Sequence, residues 1–331
     1  MYRKLIGNDI DYKCKNGIPQ YVFMTLGNIC NANCVFCDVR SSKSKKSIID
    51  CYDIIQQLAE LDVKYIHFTG GGEPFTEKKI IDYCKYASEC GLKIAITTNG
   101  LAINQDIIQD LSKVNLSHII FSVDSHIAKL HNELRRVNGL WEKLTENIIM
   151  LKRGQPHVKI VINHVLTNRN IESFMEMLRL KEKIPFDFIN PIFVKDNDWL
   201  CCTKSQLEMF MQNLPDYREC AKQLGIEFLY DDIERFIPNA NHNEINFVCR
   251  VSDFCAFIDA SNAKVYPCDC SVHRDDEWYA YGNVNDDKLK EIWESDKKRE
   301  LSQEIRNNLC SCKRSCDMAN IYFNRYLKEE I

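Results

Sequence analysis

The stretch YVFMTLGNICNANCVFC, residues 21–37, joins a short apolar run to a loop that carries three cysteines. Outward from it, as far as about residue 195, short apolar, β-branched runs alternate with longer segments of helical period. This pattern is typical of βα units and a parallel sheet. The predicted strands cover residues 21–26, 65–69, 93–97, 118–123, 159–166 and 186–193, and the predicted helices cover 48–61, 77–89, 105–111, 140–152 and 171–181. Asn170 is the predicted N-cap of the last helix.

The number of repeats limits the architecture of this α/β protein. Six βα units are two short of a full (β/α)8 barrel, so the sheet is predicted to be either an open partial barrel or doubly wound. Both architectures bind ligands at the carboxyl ends of the strands. The cysteines follow the first predicted strand, GGGEP (70–74) the second and TTNG (97–100) the third, while Ser122 to Asp124 close the fourth. These motifs are therefore expected on one rim.

The chain is expected to divide into four segments. They are an N-terminal segment (1–19), a barrel (20–200), a helical connector (201–245, with a helix near 204–224) and a separate cysteine-rich domain (246–331). In the last segment we predict a hairpin of residues 254–258 and 264–266, a helix near 288–294 and a closing helix near 318–327.

Composition excludes several classes of protein. No stretch approaches the roughly 18–20 apolar residues that cross a bilayer, and the N-terminus is too polar and acidic for a signal peptide, so a cytoplasmic protein is expected. Cytoplasmic thiols are kept reduced, so the 17 cysteines are better interpreted as metal ligands and buried bystanders than as disulfides. The net charge of −4 offers no basic surface for nucleic acid, and the lysines of 43–46 are typical of a solvated loop.

Cys30, Cys34 and Cys37 offer three thiolates, one fewer than a cubane cluster has irons, which would leave one iron open for a ligand. A zinc site is the competing interpretation, although a closed zinc site needs a fourth ligand and none lies near this loop. The glycines of 70–72 would let backbone groups approach a ligand, with Glu73 facing the pocket.

CNANCVFC, with Phe36 before the last cysteine, TGGGEPF (69–75), TTNG (97–100) and FSVDSHIAKLHNELR (121–135) occur in this order at the ends of successive predicted strands. They resemble the radical S-adenosylmethionine (radical SAM) superfamily over roughly residues 20–195. The resemblance implies a partial (β/α)6 barrel and a 4Fe-4S cluster on the three cysteines, whose open iron takes the amino and carboxylate groups of S-adenosylmethionine. It also implies that Gly71, Gly72, Glu73 and Pro74 hold the amino group, that Ser122 and Arg135 hold the carboxylate, and that Asn99 belongs to the cofactor site. Reductive cleavage of the cofactor would give a 5′-deoxyadenosyl radical that abstracts hydrogen from a substrate C–H bond.

The cysteines near the C-terminus, with the segment GNVNDDKLKEIWES (282–295), resemble the SPASM or twitch extension of that superfamily. The resemblance implies an auxiliary 4Fe-4S cluster on Cys249, Cys255, Cys268 and Cys316. Ala263 stands where the family has glycine, and the second cysteine set is incomplete. Cys270, Cys310 and Cys312 are candidate ligands of a second auxiliary cluster, or hydrogen donors to a substrate radical. A zinc module built from the same cysteines is the structural alternative.

The resemblance leaves the substrate open, because one scaffold hosts many reactions. Relatives with this extension modify peptides or oxidise sugars and aminocyclitols, so oxidation, epimerisation or cross-linking of a small polar or peptide substrate is expected, with a flavodoxin or ferredoxin as electron donor. About 20 residues precede the first strand, which favours a small substrate or a separately supplied peptide carrier. From another class, the chain could be a non-catalytic iron–sulfur electron carrier or a metal-binding module. Candidate substrate contacts are Asp124, His164, Asn190, Lys195 and Asp198.

Overall fold

The computed structural model describes residues 5–6, 17–37, 44–194, 197, 199–229, 249, 251–272 and 279–307. The six predicted strands are confirmed, and their ends shift by at most two residues. They are β1 (Tyr21–Met24), β2 (Tyr65–Phe68), β3 (Lys93–Thr98), β4 (Leu116–Ser122), β5 (Lys159–Leu166) and β6 (Phe188–Phe193).

Helices follow the strands along the chain. They are α1 (Cys51–Glu60), α2 (Ile80–Glu89), α3 (Gln105–Leu111), α4 (Ala128–Arg135), α5 (Leu140–Gly154), α6 (Phe174–Arg179) and α7 (Lys204–Gln223). Three of them begin at a side chain that accepts a hydrogen bond from the first turn: Asp50 at α1, Asn104 at α3 and Thr203 at α7. Such caps satisfy backbone N–H groups that have no partner inside the helix, and so fix where each helix starts.

Asn170 does not cap a helix with its side chain, contrary to the prediction. Its backbone precedes a 3₁₀ turn (Ile171–Ser173) that leads into α6, but its amide turns back toward the sheet. The Oδ1 atom accepts from the Thr167 N–H at 2.7 Å, and Nδ2 donates to the carbonyl oxygens of Asp124 and Val165. Asn170 therefore stabilises the rim after β4 and β5.

The order of the strands distinguishes the two predicted architectures. Strands β1 to β6 are neighbours in sequence order, and each pairs in parallel with the next. A doubly wound sheet would reverse its strand order near the middle. This sheet does not, so the barrel-type winding is confirmed, and the ends of β1 to β4 follow one another around a single rim.

The cysteine-rich region adds strands to the same sheet. It contains α8 (Val251–Phe254), β8 (Cys255–Asp259), β9 (Lys264–Tyr266), α9 (Asp269–Val272), β10 (Gly282–Asn283), α10 (Leu289–Glu294) and α11 (Asp296–Arg306), while β7 (Glu227–Phe228) pairs with β6. Strands β8 and β9 form the predicted antiparallel hairpin, and β8 also pairs in parallel with β1. The division of the chain into four segments stays a prediction.

Helix α11 was not predicted; its N-cap Ser295 accepts from the Lys298 N–H at 3.1 Å. The closing helix expected near 318–327 lies outside the described residues. Across the described ranges, no helix is both long and apolar enough to cross a lipid bilayer.

Candidate active site

The cysteine loop lies directly after β1, and its three thiols are close neighbours. Cys34 is buried, whereas Cys30 and Cys37 are exposed. Burial raises the pKa of the Cys30 thiol, and the nearby Glu73, Cys34 and Cys37 raise it further, against the Ala32 N–H that donates to its Sγ. Thiols that affect one another in this way are a suitable donor set for an iron–sulfur cluster, in which each thiolate binds a different iron.

Two of the three predicted glycines pack against the cysteine loop. A Cβ on Gly72 would lie 2.2 Å from the carbonyl oxygen of Ile29, and Gly71 has φ +88°, which favours glycine. The N–H of Glu73 donates to the same Ile29 oxygen at 2.9 Å. A Cβ on Gly70, in contrast, would meet nothing within 4 Å. Gly71 and Gly72 therefore allow the GGGEP turn to pack closely against the cysteine loop, whereas the sequence had predicted that these glycines allow a ligand to approach the backbone.

The carboxylate of Glu73 accepts three hydrogen bonds from other residues of the protein. Its Oε1 accepts from the Thr98 hydroxyl at 2.6 Å and from the Phe75 N–H at 3.3 Å, and its Oε2 accepts from the Asn99 N–H at 2.7 Å. Burial raises the pKa of Glu73, while these donors act in the opposite direction. Glu73 thus joins the turn after β2 to the turn after β3. Its part in cofactor binding stays a prediction.

Asn99 joins the turn after β3 to the cysteine loop. Its Nδ2 donates to Oδ1 of Asn31 at 2.7 Å, and its Oδ1 accepts from the Leu101 N–H at 2.9 Å. The first of these contacts ties Asn99, which is predicted for the cofactor site, to Asn31 of the CNANC motif. Three rim motifs that are distant in sequence are therefore connected by direct hydrogen bonds.

Arg135, the last residue of α4, lies between the rim and the cysteine loop. Its Nε donates to Oδ2 of Asp124 at 2.5 Å, its Nη1 donates to Sγ of Cys34 at 3.6 Å, and its guanidinium carbon lies 5.1 Å from the ring centroid of Phe36. Burial alone would lower the pKa of Arg135, but Asp124 and Cys34 raise it. Burial likewise would raise the pKa of Asp124, but Arg135 lowers it, so both partners are charged. Nη2 donates to no described residue.

Ser122 ends β4 and is half-buried, at the start of a polar row across the sheet. It pairs in register with Asn163 on β5, which pairs with Asn190 on β6. Nδ2 of Asn190 donates to Oδ1 of Asn163 at 2.9 Å. Because residues in register point to the same face of a sheet, this row lies on one side of the rim.

Two of the other candidate substrate contacts, His164 and Asp124, have structural roles. His164 lies on the opposite face of β5 from Asn163; its Nδ1 donates to the Val123 carbonyl at 2.9 Å, and its ring packs 5.7 Å from that of Phe174. Asp124 is held in the ion pair with Arg135. Lys195 and Asp198 lie outside the described residues.

A buried polar network inside the barrel was missed by the sequence interpretation. The hydroxyl of Tyr21 lies 2.9 Å from Nδ1 of His67 and 3.2 Å from Nε2 of His118, and Nε2 of His67 lies 2.8 Å from the Thr97 hydroxyl. Burial lowers the pKa of both histidines, to about 3 for His118. Polar residues at alternate positions of otherwise apolar strands were the available signal.

The auxiliary region buries three of its predicted ligands, Cys249, Cys255 and Cys268. The hairpin pairs Phe257 with Tyr266, and Cys255 and Cys268 each lie two residues beyond this pair along the chain. Ala263 has φ +62°, the left-handed conformation that favours the glycine of the resembled motif. Cys270 belongs to α9, and Cys310, Cys312 and Cys316 lie outside the described residues.

Over the described ranges, no three histidine, cysteine, aspartate or glutamate side chains are arranged around a single metal ion. The ligands of a 4Fe-4S cluster need not meet at one point, because each binds its own iron.

Comparison with known proteins assigns the family. Residues 24–180 match the family model described as the Radical SAM superfamily, and residues 249–317 match SPASM, an iron–sulfur cluster-binding domain. The AdoMet-dependent heme synthase of Methanosarcina barkeri is 22% identical over 305 residues, which cover 84% of this chain and 82% of the synthase. The structure of Streptococcus suis SuiB bound to S-adenosylmethionine has a TM-score of 0.68 at 19% identity, covering 92% of this chain and 71% of SuiB. The structure of anSMEcpe with bound AdoMet has a TM-score of 0.67 at 17% identity, covering 95% of each chain.

The chain belongs to the radical SAM superfamily and carries a C-terminal SPASM domain. It is an enzyme that uses a 4Fe-4S cluster and S-adenosylmethionine, and its SPASM domain binds auxiliary iron–sulfur clusters. The expected superfamily, fold class and cofactors are confirmed.

Proposed function

We propose that this enzyme abstracts hydrogen from an unactivated C–H bond of its substrate. When bound, the cluster and S-adenosylmethionine supply a 5′-deoxyadenosyl radical for this step, and the protein supplies binding, orientation and exclusion of water. The observation that carries the proposal is the direct contact between the cysteine loop, the GGGEP turn and Arg135 at one rim.

Different residues of the rim would bind the cluster, the amino group and the carboxylate of S-adenosylmethionine. Cys30, Cys34 and Cys37 would hold three irons and leave the fourth open. The backbone of residues 71–74 would bind the amino group of the cofactor, and Ser122 with Nη2 of Arg135 its carboxylate, because a guanidinium suits carboxylate geometry. Asn99 would maintain the loop through Asn31. We assign Cys249, Cys255, Cys268 and Cys316 to one auxiliary cluster.

The substrate side of the rim supports an uncharged, hydrogen-bonding substrate. Ser122, Asn163 and Asn190 offer hydroxyl and amide groups, and Phe23 packs against Phe257 across β1 and β8, with ring centroids 6.2 Å apart. A peptide or a hydroxyl-rich small molecule fits this chemistry. SuiB has been solved with its precursor peptide SuiA, and anSMEcpe with bound peptides.

The reaction that follows hydrogen abstraction would be oxidation, epimerisation or cross-linking. An oxidation would take one electron from the substrate radical into an auxiliary cluster and release one proton. In an epimerisation, Cys270, Cys310 or Cys312 would instead return a hydrogen atom, and the resulting thiyl radical would regain one electron through an auxiliary cluster and one proton from solvent. Flavodoxin or ferredoxin would supply the initial electron. The alternative of a non-catalytic electron carrier is set aside, because the chain belongs to a family of enzymes.

The test is formation of 5′-deoxyadenosine by the anaerobically reconstituted, reduced protein. We expect the wild type and a Cys220→Ala control to form it, since Cys220 lies on α7 and is not a predicted ligand, and Cys34→Ala to form none. Full retention by Cys34→Ala would contradict the proposal. Iron analysis adds the cluster count: about eight irons per chain indicates one auxiliary cluster and about twelve indicates two.

A further inference from the structure

We propose that the buried pair Asp124–Arg135 is a positioning device that raises the reduction potential of the cluster bound by the cysteine loop. This rests on the proposed function, because it assumes that Cys34 is a cluster ligand. It goes further in giving Arg135 a contact with the cluster ligand in addition to its expected contact with the cofactor carboxylate.

Arg135 is held from three directions. Nε is bound by Asp124 at 2.5 Å, Nη1 reaches Sγ of Cys34 at 3.6 Å, and the ring of Phe36 covers the guanidinium plane at 5.1 Å. Only 10% of the Arg135 side chain and none of that of Asp124 is exposed. A planar fork fixed in this way cannot turn away from Cys34 without leaving Asp124 buried and unpaired, which is costly.

Asp124, the partner of Arg135, is itself fixed to the sheet. Its Oδ1 accepts from the Val165 N–H of β5 at 3.0 Å, its N–H donates to Nδ1 of His131 at 3.1 Å, and its carbonyl oxygen accepts from Nδ2 of Asn170 at 2.7 Å. With both its backbone and its carboxylate bound, Asp124 has one position. The sheet therefore sets where the guanidinium lies.

Helix α4, which carries Arg135, also holds the cysteine loop by hydrogen bonds to its backbone. The N–H of Val35 donates to the Leu134 carbonyl at 2.9 Å, and that of Asn33 to the Arg135 carbonyl at 3.3 Å. Cys34 lies between these two anchors, so the distance from Cys34 to Arg135 is fixed from both sides. The adjacent Arg136, with φ +53°, ends the helix and points into solvent.

The electrostatic consequence has a definite sign. Arg135, the positive member of the pair, contacts Cys34, and Asp124, the negative member, contacts the sheet. One electron from a low-potential flavodoxin or ferredoxin makes the cluster one charge more negative, and no bond is formed or broken in that transfer. A hydrogen bond to a ligand sulfur stabilises the more negative state, so it raises the potential.

The experiment measures the potential of the reconstituted protein without S-adenosylmethionine, by electron paramagnetic resonance during a redox titration. The signal of the cysteine loop is the one that disappears in Cys34→Ala. The informative variant is the double substitution D124N/R135Q, which removes the hydrogen bond but leaves no unpaired buried charge. Arg136→Gln is the matched control, because it removes an exposed arginine one residue away.

We expect the ratio of reduced to oxidised cluster at a fixed potential to fall about tenfold in D124N/R135Q, equivalent to a shift of about −59 mV for one electron. Arg136→Gln should change it less than twofold. If the double variant does not fold, Arg135→Lys keeps the charge but cannot contact Asp124 and Cys34 in the same geometry, and should shift the ratio in the same direction. An unchanged potential in the folded variant would overturn the inference while leaving the proposed function intact. Absence of any cluster in the wild type would instead overturn the proposed function.

Discussion

Replacing Gly72 by alanine tests the contact between the GGGEP turn and the cysteine loop. The new Cβ would lie 2.2 Å from the Ile29 oxygen, whereas a carbon and a carbonyl oxygen approach to about 3.3 Å. The oxygen must therefore retreat by about 1 Å. It also accepts from the Glu73 N–H at 2.9 Å and from the Thr76 hydroxyl at 3.1 Å, so retreat weakens both hydrogen bonds.

The expected cost is about 1–3 kcal/mol from overpacking, with up to about 1 kcal/mol more for each hydrogen bond that is lost. Cys30 follows Ile29 directly, so the displacement reaches the first cluster ligand. We expect Gly72→Ala to lower the urea midpoint of the iron-free protein and to bind about four fewer irons per chain after reconstitution.

Gly70→Ala is the matched control for this substitution. Its Cβ would meet nothing within 4 Å, and Gly70 has no positive φ, so it should keep the wild-type iron content and unfold at the same or a slightly higher urea concentration. Wild-type iron and stability in Gly72→Ala would refute the reasoning. So would equal losses in the two variants.

Two further predictions concern the interior of the barrel. Burial lowers the pKa of His118 to about 3, below its value of about 6.5 in the unfolded chain. The free energy of unfolding therefore has its full value above about pH 6.5 and falls by about 1.4 kcal/mol per pH unit as the pH drops toward 3. His118→Gln should flatten the decline of the urea midpoint between pH 6.5 and 4.5, whereas His157→Gln, which replaces an exposed histidine, should not. Parallel declines in the wild type and both variants would count against a neutral buried His118. Tyr21→Phe should cost about 1–3 kcal/mol, because it removes the hydroxyl shared by two buried imidazoles. Tyr86→Phe, which loses the hydrogen bonds of a surface hydroxyl with Gln56 and Cys90, should cost less, and similar urea midpoints for the two variants would contradict the role of the network.

The strands of the barrel could be predicted from the sequence because they are apolar runs buried on both faces, as in parallel sheets covered by helices. Their ends could also be predicted, since the polar and glycine motifs begin where these runs stop. Less of the C-terminal region could be predicted. Residues 255–259 indicate a strand, but nothing local to them indicates that β1 is their parallel neighbour.

In the candidate site, too, the sequence did not predict which side chains contact one another. Residue types indicated that Glu73 and Arg135 belong to the rim. They did not indicate that the Glu73 carboxylate is bound by Thr98 and Asn99, or that Arg135 pairs with Asp124 and reaches Cys34. A side chain with several possible partners is assigned one only when the fold brings that partner within hydrogen-bonding distance.

The sequence by itself determined the ligand types and the order of the motifs, because parallel strands end at one edge and each motif directly follows a strand. Only the tertiary structure decided which groups meet across that edge. Contacts such as those of Tyr21 with His67 and His118 depend on how the sheet curves, and strand periodicity specifies a face of the sheet but no partner on it.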